Sequence, residues 1–347
     1  MARTRRPSTR PARTTIADIA RHAGVSPTAV SFALNDRPGL SDETRQRILD
    51  AVAELNWRPS IAARALTGMR SDTVGLVVAR PARTLGIEPF FAQLTSGLQA
   101  RLSTHVVALH QLVVEDVAAE LEVYHRWAAE QRVDGLVLVD LERGDPRPEA
   151  VRGLGVPAVV LGGTGEPGPL PAVWVDDYAA MAQIAEHLAS LGHRRIGHVG
   201  GIPAYEHSVR RVAALHDASR RLGITVDHED TDYSERASAA ATRLLLDRPE
   251  PPTAIVYDSD VAALAGLGVA STLGVRVPDD LSVVSFDDSE LARLVHPALT
   301  ALTRDTHALG MLVADTLLDV VAGREVPPVV VAPGPVLTPR ASTAAPR

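Results

Sequence analysis

Residues 15–35 read TIADIARHAGVSPTAVSFALN, with Ile16, Ile19 and Ala20 at helical spacing, a glycine at 24, then Val25, Val30, Ala33 and Leu34. The pattern predicts two short helices broken at Gly24. Ala20, Gly24 and Val30 stand at helix-turn-helix intervals: alanine admits close helix approach, glycine takes the turn, and valine packs the second helix on the first. Asn35 to Leu40 reads as a turn-rich loop. Ser41 is a helix cap followed by Asp42 and Glu43, whose charges suit a positive helix start, and Ile48, Val52 and Leu55 mark one face of a third helix. Ser60 is expected to cap a brief alanine-rich helix from Ile61 to about Leu66, stopped by Gly68. Residues 1–13, rich in Arg, Pro, Ser and Thr without periodicity, predict a disordered basic arm.

Charge is distributed unevenly. Of the net −7, the first 70 residues carry 12 Arg against Asp18, Asp36, Asp42, Glu43, Asp50 and Glu54, or +6, leaving −13 for the remainder. A basic head on an acidic body suits contact with polyphosphate through one end only. The chain has 347 residues, 46% hydrophobic, enough for two or three domains with sizeable cores. It has no cysteine, which excludes disulfides, thiolate zinc sites and cysteine nucleophiles. No apolar run is long enough for a membrane span, and no apolar segment follows the N-terminal arginines, so a cytoplasmic, nucleoid-associated protein is expected.

Beyond Ser71, short apolar runs at 74–79, 106–109, 135–139, 158–161, 196–200, 254–257 and 281–286 alternate with helical stretches. The helices are expected at about 90–102, 116–131, 178–191, 206–222, 235–246, 260–273 and 305–322. Strand, helix, strand at this spacing means parallel sheets with helices on both faces, split into two lobes, with ligands at the carboxyl ends of the strands.

These features together resemble the lactose-repressor (LacI/GalR) family. The resemblance runs through TIADIARHAGVSPTAVSFALN, SDETRQRILDAVAEL, WRPS and ARAL, then EPFFAQLTSGL, VDGLVLV, GVPAVVL, HLASLGHRRIGHVGG, GVRVPDDLSVVSFDDSEL and HPALTAL. It implies a homodimeric repressor that reads a pseudo-palindromic double-stranded operator, binds a small-molecule effector, a sugar or derivative, and needs no cofactor, metal or membrane. The implied fold class is a small all-α helix-turn-helix DNA-binding domain followed by an α/β core of two doubly wound parallel-sheet lobes of the type I periplasmic sugar-binding kind. Expected boundaries are 1–13 for the arm, 14–59 for the helix-turn-helix domain, 60–70 for a hinge helix and linker, 71–340 for the core and 341–347 for a tail. Within the core, the first lobe is expected to hold about 72–174 plus 304–325, and the second 175–303 plus 326–340.

Carried over residue by residue, the resemblance puts Pro27, Thr28 and Ala29 at the start of the recognition helix, with Ser31 and Phe32 one turn on. Thr28 and Phe32 are the implied base readers; Thr can hydrogen-bond a base edge or touch a thymine methyl, whereas Phe offers only apolar contact or packs inward on the third helix. Many relatives have a polar or basic residue at position 32. Ser26 is an implied cap and phosphate contact, and Thr15, Asn35 and Arg37 are implied backbone contacts. Leu66 matches the family's minor-groove wedge, with Arg64 near phosphate. In the core, Asp287 matches an acidic residue that holds effector hydroxyls, Arg211 and Ser208 match a Ser-x-x-Arg motif, Ser259 stands where Asn is common, and Phe91 matches the cleft edge. Tyr205, Glu206 and His207 precede the helix that bears Arg211 and are candidates for the same neighbourhood.

Rival classes lack support in the residues. GHVGG at 197–201 is not a dinucleotide fingerprint, and no phosphate-binding P-loop, nucleophile elbow or zinc-protease motif is present, so no enzyme is expected. A solute-binding protein would share the core but has no need of a basic helix-turn-helix. The family contains both induced and corepressed members; induction is the expectation.

Overall fold

The computed structural model describes residues 14–34, 36–57, 70–80 and 88–347. The chain divides into two compact units, 1–69 and 70–347. The expected arm at 1–13, Asn35, and the expected hinge helix with Arg64 and Leu66 lie outside the described residues.

In the first unit, α1 (Ile16–Ala23) starts from a reciprocal cap in which the Thr15 side chain accepts from the Asp18 N–H while the Asp18 carboxylate accepts from the Thr15 N–H. It ends at Gly24, whose φ of +67° glycine adopts without the strain a side chain would bring. The Oγ of Ser26 accepts the Ala29 N–H at 3.2 Å, starting α2 (Pro27–Leu34), and Ser41 caps α3 (Asp42–Glu54). Ile19, Ala20, Val30, Ala33, Ile48 and Ala51 form the small core, with Leu55 and Trp57 closing it. Arg45 of α3 ties down the loop after α2: it donates to the carbonyls of Ala33 and Arg37 and pairs with Asp36 at 2.8 Å.

The second unit holds two six-stranded sheets. The first lobe runs β1 (Thr73–Ala79), α4 (Pro89–Ser103), β2 (Ala108–Val114), α5 (Val117–Ala129), β3 (Gly135–Leu138), α6 (Arg147–Leu154), β4 (Ala158–Leu161) and β5 (Ala172–Trp174). The chain then enters the second lobe through α7 (Asp177–Ser190), β6 (Arg195–Val199), α8 (Glu206–Leu222), β7 (Thr225–Glu229), α9 (Glu235–Leu246), β8 (Ala254–Tyr257), α10 (Asp260–Leu273), β9 (Ser282–Ser285), α11 (Glu290–Leu294) and β10 (Thr300–Thr303). It returns as α12 (Thr306–Val321) and β11 (Val329–Val331), and crosses once more to β12 (Val336–Thr338). The strand orders are β11-β5-β4-β3-β1-β2 and β12-β10-β9-β8-β6-β7, parallel except for β12 against β10.

Two expected allocations need correction. Residues 329–331 belong to the first lobe, where β11 pairs with β5 as Val329 with Ala172, so the final crossing falls after 331 and not at 326. Residues 341–347 are not a free tail. Ser342 is buried, donates to the Val283 carbonyl at 2.6 Å and accepts the Thr300 N–H at 2.8 Å, while Ala344 meets Ser282 and the buried His193. These residues satisfy polar groups of β9 and β10 that would otherwise be buried without partners. The expected strand at 106–109 is also displaced, to 108–114: its half-buried alternation is that of an edge strand, and its apolar start is spent on the turn before it.

Each sheet is packed on both faces by apolar clusters. In the first lobe α12 crosses α4 at Gly310 and Gly97 with backbones nearly touching: a side-chain carbon on Gly97 would collide with the His307 carbonyl oxygen, and one on Gly310 with that of Leu94. Buried Leu94, Leu98, Val313 and Leu317 flank this crossing and cover the sheet.

Candidate functional site

In α2 the two faces of one helix have different fates. Val30 and Ala33 are buried in the small core, while Ser26, Pro27 and Thr28 at its start are exposed and Ser31 and Phe32 are half-buried. Half-buried Phe32 is not among the residues of the apolar cluster, and its ring edge faces Gly39. Thr15 and Arg37 are exposed, but the Thr15 hydroxyl already donates to Asp18 at 2.7 Å and the Arg37 carbonyl accepts from Arg45.

The second site is a cleft between the two lobes, about 890 Å³ of empty space including its open mouth. Strand ends build it: Arg80 after β1, Asp140 after β3, Asp258 to Asp260 after β8, Asp287 after β9 and Arg304 after β10. This is where open α/β sheets place ligands.

Arg80, 4% exposed, is a buried cation of this wall. Its Nε donates to Asp140 at 2.7 Å and its Nη1 to both oxygens of Glu88 at 2.8 Å. Rings of Phe91 from its own lobe and of Tyr205 and Tyr233 from the other surround the guanidinium at 5.1, 5.2 and 4.8 Å. Burial pushes the Glu88 carboxyl up to about 7 even beside Arg80. Burial alone would also raise Asp140, but Arg80 holds it below the usual carboxylate range. Backbone links add to the bridge between lobes: the Glu206 N–H donates to the Leu141 carbonyl at 2.8 Å and the Arg143 N–H to the Ala204 carbonyl at 3.1 Å. The loop that carries Asp140 and Leu141 is itself anchored by Arg147, 1% exposed, which donates to Glu120, Asp145 and the carbonyls of Val139 and Asp140.

On the opposite lobe Arg211 lies 3.5 Å over the Phe286 ring, donates to Asp177 at 2.9 and 3.1 Å, and sits 3.4 Å from Asp258. Asp258 also accepts the Gly201 N–H at 3.1 Å and meets His198 at 3.0 Å. Burial works against its charge, yet Arg211 and His198 outweigh it and hold the carboxyl well below its ordinary value. Asp287 accepts from Arg304 at 2.7 Å, and Arg304 lies 4.8 Å over Phe90.

Of the effector positions expected from sequence, Phe91, Arg211, Ser259 and Asp287 line the cleft and Ser208 does not. Ser208 is buried on the inner face of α8, beside the Tyr233 phenol. Phe91 is at once a cleft wall and part of the first-lobe core. The Oγ of Ser259 caps α10 by accepting the Ala262 N–H at 3.2 Å. Glu206 and His207 also line the wall, while buried Tyr205 stacks behind against Arg80. Arg80, Glu88, Asp140, Asp177, Tyr233, Asp258 and Arg304 were not anticipated. One signal was available for Arg80, Asp140 and Asp258: each is the first charged residue after an apolar strand run, as Asp287 is.

Burial, with Arg211 nearby, pushes His207 down to about 4 from its ordinary 6.5, and its Nε2 lies 3.0 Å from the Tyr233 hydroxyl. The unfolded chain therefore binds a proton here that the folded chain refuses. The stability this contributes is complete above pH 6.5 and disappears as pH falls towards 4. His207→Gln is expected to flatten the acid loss of stability across that window relative to wild type, measured as urea midpoints at several pH values; parallel profiles would remove the ring from this role.

The pattern of bacterial regulatory proteins of the lacI family matches residues 15–60, and that of a periplasmic binding protein-like domain matches 185–343. The HTH-type transcriptional regulator CelR of Thermobifida fusca is 33% identical over 337 residues, covering 95% of this chain and 96% of that protein. The chain belongs to the LacI family. Among solved structures of LacI-family proteins, the lac repressor dimer bound to operator and the anti-inducer ONPF has 27% identity and a TM-score of 0.81, covering 96% of this chain and 100% of that one. A CelR–cellobiose complex has 30% identity and a TM-score of 0.71, covering 95% and 100%. As a LacI-family member the chain is a helix-turn-helix transcriptional regulator, with α1 and α2 as the motif. Its relatives are regulators, not enzymes. Among the described residues no helix is long and apolar enough to cross a membrane, and no group of side chains could hold a metal ion.

Proposed function

We propose that the protein is a repressor that binds a pseudo-palindromic operator as a homodimer and leaves it when a sugar or sugar derivative occupies the interlobe cleft. The observation that carries the effector half is the cleft wall itself, in which carboxylates at strand ends stand beside the Phe90 and Phe91 rings, a surface suited to hydroxyls and ring faces. The cellobiose bound by CelR and the operator and anti-inducer bound by the lac repressor support the same division of labour. Asp287 and Ser259 are the proposed hydroxyl contacts. Arg211 is a positioning residue, since Asp177 and Asp258 already occupy its guanidinium.

On the DNA side, Thr28 and Phe32 are the proposed base readers, Pro27, Ala29 and Ser31 their close neighbours in the groove, and Ser26, Thr15 and Arg37 phosphate contacts. Asn35, Arg64 and the wedge Leu66 complete the proposal. A helix start presented outwards suits the phosphate backbone, because the N–H groups and the dipole there favour anions.

Genomic capture of bound fragments, followed by anisotropy titration of the recovered site, tests both halves. Binding should weaken steeply with salt, and a sugar that binds the cleft should release the operator. Asp287→Ala should abolish that release with operator affinity retained. Tighter operator binding in the presence of ligand would replace induction by corepression, and a salt-insensitive interaction would sink the DNA role.

A further inference from the structure

Four helices begin at the cleft, and each brings a carboxylate to its own start: Glu88 precedes α4, Asp177 opens α7, Glu206 opens α8 and Asp260 opens α10. A helix start is ordinarily a ready seat for phosphate or carboxylate. Here each is already faced by a negative group. The described lining residues include seven carboxylates and three guanidiniums. Each of those guanidiniums is paired with a carboxylate, Arg80 with Asp140 and Glu88, Arg211 with Asp177 and Asp258, and Arg304 with Asp287, although the buried Arg304 Nε keeps no partner of its own. The wall therefore repels an anionic ligand and has carboxylates to spare.

Asp260 is the one of these that is both fully buried and incompletely bonded. It is 1% exposed; its Oδ1 accepts the Val261 N–H at 2.7 Å, and its Oδ2 has no partner at ordinary hydrogen-bond distance, Ser289 on the same wall being the neighbouring side chain that favours its charge. An ionised carboxylate so placed is costly until a cation or donor meets it. Asp287 lies on the same stretch of wall, next to Phe90. Burial, reinforced by Asp287, pushes the Asp260 carboxyl up to about 6, as expected of an acid without its counter-ion.

We propose that the effector is an amine-bearing polyhydroxylated compound, an aminated carbohydrate, whose ammonium is held by Asp260 Oδ2 with Asp287 beside it. This rests on the effector role proposed for the cleft. A hydroxyl would fill the open valence of Asp260 but leave the surplus charge of the wall, whereas an ammonium meets both. Phosphorylated sugars and uronic acids are excluded by the same surplus.

The test uses the full chain and a matched panel in which glucose, galactose, mannose and cellobiose each appear as the neutral sugar, the 2-amino-2-deoxy sugar, the uronate and the phosphate ester. Binding is read by thermal shift and calorimetry at pH 7.5. For the scaffold that fits, the amino form should bind about tenfold or more tightly than its neutral parent, the scale of one charge-assisted contact. In Asp260→Asn that ratio should fall towards one, while uronates and phosphate esters stay silent on both proteins. A panel in which no amino form surpasses its parent, a tight uronate or phosphate, or a preference that survives Asp260→Asn would each overturn the proposal. Operator release by a neutral or acidic sugar would do so while leaving the sugar-regulated repressor intact; release only by a compound that is not a carbohydrate would remove both.

Discussion

Gly310→Val is expected to cost the core more than about 4 kcal/mol, or to prevent its folding outright, although the change adds only three carbons. The reason is what those carbons meet. On one side is the Leu94 carbonyl oxygen and on the other the backbone of Gly97, so no side-chain rotation offers relief and α12 must lift from α4. Lifting exposes the apolar row that includes Leu98, Val313 and Leu317 and uncovers the sheet beneath. Urea unfolding followed by tryptophan fluorescence reads this directly, because Trp127 is buried on the other face of the same sheet. Gly310→Ala should fall the same way with a smaller loss. A variant as stable as wild type would mean that the two helices sit farther apart than described.

The second large effect is electrostatic. Arg80→Met should destabilise the core by about 3–5 kcal/mol, the usual result of stripping one partner from a buried ion group. Methionine fills much of the space, but it strands Asp140 and Glu88 at 14% and 8% side-chain exposure. Glu88 relieves itself by taking a proton, as its raised pKa already favours; Asp140 cannot do so cheaply. Adding Asp140→Asn to the variant should therefore recover at least about 1 kcal/mol, a coupling that a double-mutant cycle in denaturant would measure. Loss of less than about 1 kcal/mol in the single variant would show that the buried ion group contributes little to the fold.

How much of this was legible in the residues depended on length and burial. Helices α8, α9 and α10 stand at the residues expected from periodicity, because each repeats an apolar face over three or more turns between clear start and stop signals. The helix-turn-helix was equally plain, since Gly24 and Val30 leave little freedom. Strands β5, β7, β10, β11 and β12 escaped notice: at three to five residues they give little alternation to detect, and their pairing is fixed by the neighbouring strand, not by their own pattern. The eight-residue α6 was missed for the same reason. Within the cleft, Asp287 and Arg211 were visible through a motif, whereas Arg80 and Asp140 come from different strands and matter only because the fold brings them together with Glu88. Partnership between residues 60 positions apart leaves no local mark.

The chain's late return to its first lobe also bears on how the protein is made. Strand β5 leaves the ribosome at residue 174, yet that lobe lacks α12 and its outer strand until residue 331 follows. At synthesis rates of about 5–20 residues per second, the nascent sheet waits about 8–30 s with one apolar face covered only by α4 and one edge unpaired. The second lobe grows during that wait on the same strand of nascent protein. Holding chaperones should therefore engage translation intermediates stalled between residues 175 and 331, and let go once the last strands emerge.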